Sequence, residues 1–173
     1  MRYLKTIVRI VFLRVFRVHV SYTPAQMDQL SRGGVIVCAN HVSLLDGVII
    51  ALASPSPLVF GVDTDYSRKS KIASYGLAML SLMGYGTVVP IDAGSPFGLR
   101  TLRNALGRKD SVMVFPEGQI SGTGQQQPDQ PGVKWLVARS GASVIRVHIR
   151  GAENSKLFAK AGQMWWPRIE IEF

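Results

Sequence analysis

At 173 residues, 47% of them hydrophobic, the chain is long enough to bury one sizeable core, and it carries no sign of a second domain or an internal repeat. A formal net charge of +9 points to an anionic partner: nucleic acid, an acidic carrier protein or a phospholipid surface. The single cysteine, Cys38, excludes an internal disulfide and suits a reducing compartment, and its place in a predicted buried strand makes it a small core residue.

Residues 1–20 carry Arg2, Lys5, Arg9, Arg14 and Arg17 and no acid. No apolar run there approaches the ~18 residues that a transmembrane helix needs. The evenly spread arginines, with no small-residue cleavage site, also argue against a signal peptide. On a helical wheel Tyr3, Leu4, Ile7, Val8, Ile10, Val11 and Val15 fall on one side and Arg2, Lys5 and Arg9 on the other. This predicts an amphipathic helix lying in a membrane surface with its basic face toward anionic headgroups. The alternative is a helix packed on the domain with its charges in water. Residues 21–34 read as a polar connection containing Pro24 and the Arg32-Gly33-Gly34 turn.

Residues 35–39 read as a short buried strand and 44–53 as a helix that stops before Pro55, which places His41 on the turn between them. Positions five apart are about 140° round a helix axis, so His41 and Asp46 meet only if His41 precedes the helix. Ser43, with Asp46 three residues on, is an N-cap signature that makes this start. Two roles compete for Asp46: completing a capping box, or holding the imidazole of His41 in the tautomer whose Nε2 accepts a proton. The spacing leaves both open.

Residues 58–62 form the next predicted strand. Arg68, Lys69 and Lys71 then open an apolar segment over 72–83, which reads as core or as the lining of an acyl-chain groove. A strand over 87–91 precedes Ser95-Pro96, the start of a helix carrying Arg100, Arg103, Arg108 and Lys109. The strand over 111–115 runs into Pro116-Glu117-Gly118, so Glu117 stands at a strand's carboxyl end, where open α/β sheets place ligand sites. Residues 119–131, rich in Gly, Gln, Ser and Pro, read as a mobile loop over that site. A helix over 133–139 and strands over 143–149 and 168–173 complete the chain, whose end inside a strand-like run suggests a fragment. Lys156 and Lys160 near Trp165-Trp166 suit either the headgroup level of a bilayer or a packed core edge. The expected fold is therefore a single α/β domain, residues 21–173, with a mostly parallel central sheet flanked by helices. The N-terminal amphipathic helix, residues 1–20, precedes it.

Asn40-His41-Val42-Ser43-Leu44-Leu45-Asp46 and Phe115-Pro116-Glu117-Gly118, in this order and about seventy residues apart, resemble the N-H-x-x-x-x-D and F-P-E-G motifs of the glycerolipid acyltransferase family. The flanks Gly84 to Asp92 and Ser140 to Ile145 are most similar to the acyltransferase half of bacterial 2-acylglycerophosphoethanolamine acyltransferase/acyl-carrier-protein synthetase. The resemblance implies transfer of an acyl group from an acyl-carrier-protein or coenzyme A thioester to the free hydroxyl of a lysophospholipid. It makes His41 the base, Asp46 its orienter, and Glu117, with Phe115 and Pro116, part of the acceptor site. Gly118 and the adjoining N–H groups become candidate oxyanion donors. No serine nucleophile is expected, since no G-x-S-x-G elbow is present. No metal or cofactor is expected either: His19, His41 and His148 are scattered.

Two departures bear on the acceptor. Family members that acylate lysophosphatidate usually carry arginines where this chain has Asp92 and Ile120, which argues against a phosphomonoester and agrees with lysophosphatidylethanolamine, Asp92 facing the ammonium. Arg146 stands where the family usually has a proline, and Arg146 or Arg150 becomes the candidate phosphate contact. The implied partners are membrane phospholipids, lysophospholipids, an acyl carrier protein and a fused or separate acyl-carrier-protein synthetase, at the cytoplasmic face of a bacterial inner membrane. Lysophosphatidate as acceptor and a silent lipid-binding module stay open as alternatives. A nucleic-acid partner is not expected, because neither a recognition helix nor an aromatic stacking motif is present.

Overall fold

Short stretches rich in Val and Ile, separated by apolar or amphipathic helices, build a parallel sheet in this computed structural model, which describes residues 2–63, 76, 78, 81–92, 95–125 and 127–173. The strands are β1 (Val18–Ser21), β2 (Ile36–Ala39), β3 (Leu58–Asp63), β4 (Gly86–Ile91), β5 (Ser111–Val114), β6 (Val144–Arg150) and β7 (Ile169–Glu172). Their order across the sheet is β1-β7-β6-β2-β5-β3-β4, parallel throughout except between β6 and β7. The helices are α1 (Arg2–Val15), α2 (Pro24–Arg32), α3 (Asp46–Ala53), α4 (Phe97–Gly107) and α5 (Pro131–Ser140). The single α/β domain of mostly parallel topology is the one expected.

Helix α3, apolar on all sides, fills one face of the sheet together with Val37, Ala39, Met113 and Val147. Helices α4 and α5 cover the other face over Ile36, Cys38, Val112 and Val114. The connection after β2 thus leaves toward one face and the connection after β5 toward the other, although the two strands are neighbours. In open α/β sheets such a divergence at the carboxyl ends of two neighbouring strands is where ligands bind.

The polar connection expected over 21–34 is instead β1 followed by α2. Thr23 caps α2 with Pro24 in its first turn, and its side chain accepts from the Gln26 N–H while the Gln26 side chain accepts from the Thr23 N–H. The helix expected over 1–20 ends at Val15, where Arg17 takes a positive φ of 52° and the chain turns into β1.

Helix α1 keeps its apolar stripe outward, as the membrane-surface reading expects, and turns Lys5 and Arg9 toward the domain, unlike the packed alternative with its charges in water. Phe12, Leu13 and Phe16 pack on the core, the Arg9 guanidinium donates to the Ala53 carbonyl at 2.9 Å, and the Lys5 ammonium donates to the Gly84 carbonyl at 3.2 Å. Tyr3, Leu4, Ile7, Ile10, Val11 and Val15 are left exposed. The carbonyls that end α3 and the turn before β4 accept from these cations, and the apolar stripe faces outward. Among the described residues no helix is long and apolar enough to cross a membrane. Most of the apolar segment expected over 72–83, and with it the expected acyl groove, lies outside the described residues.

Candidate active site

Adjacent parallel strands bring the two motifs together by register alone. Cys38 pairs with Val114 across β2 and β5, and the same offset of 76 residues continued past the strand ends sets His41 opposite Glu117. The His41 N–H donates to Glu117 Oε1 at 3.1 Å. On the other side of β2, the Asn40 side chain extends the ladder to β6: its amide donates to the Ile149 carbonyl at 2.9 Å, and its Oδ1 accepts from the Ile149 N–H at 2.7 Å. The motif asparagine, to which sequence reasoning assigned no role, is what ties the turn to β6.

The Asp46 carboxylate meets both the turn and the imidazole, but the capping box is only half formed: it accepts from the Ser43 N–H, while the Ser43 hydroxyl oxygen accepts from the Leu45 N–H and not from that of Asp46. Asp46 is fully buried. Its Oδ2 accepts from the Val42 N–H at 2.6 Å and the Ser43 N–H at 2.8 Å, and lies 3.0 Å from His41 Nδ1. Its Oδ1 accepts from the Ser43 hydroxyl at 2.6 Å. The Ser43 oxygen in turn accepts from the Leu45 N–H at 3.2 Å, so it caps the turn before α3 and not α3 itself, which begins at Asp46. His41 Nδ1 and Asp46 Oδ2 are placed to share one proton, and an imidazole tautomer with Nδ1–H has its lone pair on Nε2. The ring stacks on Phe115 with centroids 3.9 Å apart and planes 14° apart.

The segment after Phe115 closes round the same turn. Glu117 is 2% exposed, and its Oε2 accepts from the Gln127 N–H at 2.9 Å. The Ser121 N–H donates to the His41 carbonyl at 2.8 Å, and the Gln130 N–H to the Pro116 carbonyl at 2.7 Å. The loop expected to move freely over the site is therefore tied at both ends, and Ile120 is buried within it. The Lys160 ammonium adds a bond to the Ile120 carbonyl at 3.1 Å. Gly118 adopts φ +76°, the left-handed conformation that glycine takes without strain, but its N–H donates to the Phe115 carbonyl at 3.1 Å. That bond consumes the expected oxyanion donor within the turn.

Asp92 and Arg146 stand outside this cluster. Asp92 bridges to Ser95 beyond the edge strand β4, three strand spacings or roughly 14 Å from β2. Arg146 points from β6 to the face opposite Val147 and pairs with Asp129 at 3.7 Å. Near it, burial pushes the Cys38 thiol up to about 11, against a smaller lowering by Arg146 and a raising by Asp129. Cys38 is thus a neutral thiol near pH 7, which removes it as a nucleophile. Burial likewise raises Tyr22 and Tyr85, each opposed by Arg9. Among the described residues no cluster of three or more His, Cys, Asp or Glu is placed to hold a metal ion.

An imidazole 3.0 Å from a buried carboxylate, beyond the carboxyl end of a strand, is an arrangement able to take a proton from a hydroxyl. The fold matches the crystal structure of the 1-acyl-sn-glycerophosphate (LPA) acyltransferase, PlsC, from Thermotoga maritima. The TM-score is 0.64 at 18% identity, over 99% of this chain and 67% of that one. The family model described as Acyltransferase matches residues 17–150, which include the His41–Asp46 turn and the Phe115–Gly118 segment. This chain belongs to the acyltransferase family.

Proposed function

We propose that the protein transfers a fatty acyl group from an acyl-carrier-protein or coenzyme A thioester to the free hydroxyl of a lysophospholipid, with His41 as general base. The observation that carries this reading is the 3.0 Å approach of His41 Nδ1 to the buried Asp46 carboxylate. In the proposed step the acceptor oxygen attacks the thioester carbonyl as Nε2 takes its proton. The resulting tetrahedral adduct collapses, the C–S bond breaks, and the thiolate takes the proton back from the imidazolium that Asp46 stabilises. No protein acyl intermediate is required.

For the acceptor, lysophosphatidylethanolamine is the preferred reading. Ile120, where the resemblance calls for a phosphate-binding arginine, is buried, and Asp92 is an acid where a second arginine is expected. Lysophosphatidate is the second reading, favoured by the structural match to a 1-acyl-sn-glycerophosphate acyltransferase. The test is a comparison of the two acceptors with labelled acyl thioesters in detergent micelles. The first reading expects faster transfer to lysophosphatidylethanolamine, and it expects Asp92→Arg to raise the relative rate on lysophosphatidate several-fold. Equal preference in both chains would remove Asp92 from the acceptor site.

The reading places the protein at the cytoplasmic face of a bacterial inner membrane, held by the outward stripe of α1. Exposed Leu157, Met164, Trp165 and Trp166 support it, since Trp166 stacks on Phe16 and donates through its indole N–H to the Val15 carbonyl at the end of α1. Ile7 and Val11 are more than half exposed, so Ile7→Glu with Val11→Glu is expected to leave the fold intact. Vesicle sedimentation is expected to show binding to anionic phospholipid reduced by at least roughly 10-fold, because two aliphatic anchors are lost and two like charges gained. Unchanged binding would place the membrane contact elsewhere.

A further inference from the structure

We propose that Glu117 acts in the reaction as a positioning residue for His41, holding the backbone of the base in place, and not as a contact to the acceptor. This rests on the reading of His41 as general base. The geometry points to it on three grounds. Glu117 is 2% exposed, so its carboxylate offers almost no surface to a substrate. Both of its oxygens are already engaged, Oε1 with the His41 N–H at 3.1 Å and Oε2 with the Gln127 N–H at 2.9 Å. No salt bridge offsets its burial among the described residues, so the two peptide donors are what support a carboxylate there.

The identity of the side chain follows from that pair of donors. The two N–H groups reach different oxygens of Glu117, and holding both in place takes two acceptor oxygens on one side chain, which a carboxylate has and an amide lacks. An aspartate is one methylene too short to reach both. The neighbours of Glu117 grip the same residue at its other atoms: Ser121 N–H holds the His41 carbonyl and the Phe115 ring lies against the imidazole. Phe115 and Glu117 of the Phe-Pro-Glu-Gly segment therefore fix the ring plane and the N–H of the base, Ser121 beyond it fixes the carbonyl, and Asp46 fixes its Nδ1. A small displacement of a general base lowers the rate without weakening substrate binding.

The test uses Glu117→Gln and Glu117→Asp in the full chain, with two readouts. Steady-state transfer is expected to show kcat lowered by roughly 10- to 100-fold in both variants, with the KM for lysophospholipid within about twofold of the native value. Amide hydrogen exchange without substrate is expected to show His41 or Gln127 exchanging at least 10-fold faster, while amides of β3 and β7 keep their native protection. A raised acceptor KM with native kcat, or native exchange at both amides, would overturn the proposal and return Glu117 to the acceptor site. If the native chain transfers nothing, the exchange readout still decides whether Glu117 holds the His41 backbone, and the failure then belongs to the reading of His41 as base.

Discussion

Asp46→Ala is expected to lose both activity and fold stability, because one carboxylate orients the base and closes the turn that carries it. The substitution removes the acceptor of the Val42 and Ser43 N–H groups, the Ser43 hydroxyl and His41 Nδ1. Each buried donor left unpaired costs about 1–3 kcal/mol, so four of them, even at the low end, give an expected destabilisation of at least about 4 kcal/mol, a large part of the 5–15 kcal/mol typical of a domain. Asp46→Asn separates the two effects. An amide oxygen in the place of Oδ2 has two lone pairs, enough to keep the Val42 and Ser43 N–H donors, and its NH₂ donates to Ser43 Oγ, which reverses its role. Stability is then expected to stay within about 1 kcal/mol of native, while transfer falls at least roughly 10-fold because the imidazolium formed in the reaction loses its counter-charge. Denaturant midpoints and kcat for the two variants check this. A stable Asp46→Ala chain would mean that the turn is held by other bonds.

His41→Ala has the opposite profile. Its backbone N–H and carbonyl, which bond to Glu117 and Ser121, survive the substitution, so the turn is expected to persist. What disappears is the proton acceptor, and general-base catalysis by a positioned imidazole accounts for roughly 10²–10⁴ in rate. Loss of the stacking contact with Phe115 is expected to cost only about 1 kcal/mol. Transfer should therefore vanish into the background with the circular dichroism spectrum and the thermal transition nearly native. Retained transfer at more than a tenth of the native rate would assign the base to another residue.

The fold class, the strands over 35–39, 58–62, 87–91, 111–115 and 143–149, and the two motifs were legible because each strand is a short apolar run bounded by turn residues. The juxtaposition of His41 and Glu117 was not, because it depends on which strands are neighbours and in what register, and nothing local in the chain encodes an offset of 76 residues. Helix α2 carried a readable signal in Thr23-Pro24-Ala25-Gln26, a capping box with proline at its first position, but its mostly polar surface concealed it. The helical wheel separated Lys5 and Arg9 from the apolar stripe, and that stripe is the outward face of α1; what the wheel does not encode is that carbonyls at the end of α3 and before β4 accept from the two cations. For Asp46 the spacing posed two roles as alternatives, whereas a carboxylate has lone pairs enough to meet the turn and the imidazole together. Gly118 shows the converse limit, since its place in the motif says nothing of where its N–H points.

The most direct test of the account is transfer of a labelled acyl group from acyl carrier protein and from acyl-coenzyme A to lysophosphatidylethanolamine and lysophosphatidate, measured side by side for the native chain and His41→Ala. The account predicts diacyl product with the native chain and a loss of roughly 10²–10⁴-fold in the variant. A native chain that is folded and binds vesicles but transfers nothing, or transfer that survives the loss of His41, would contradict it.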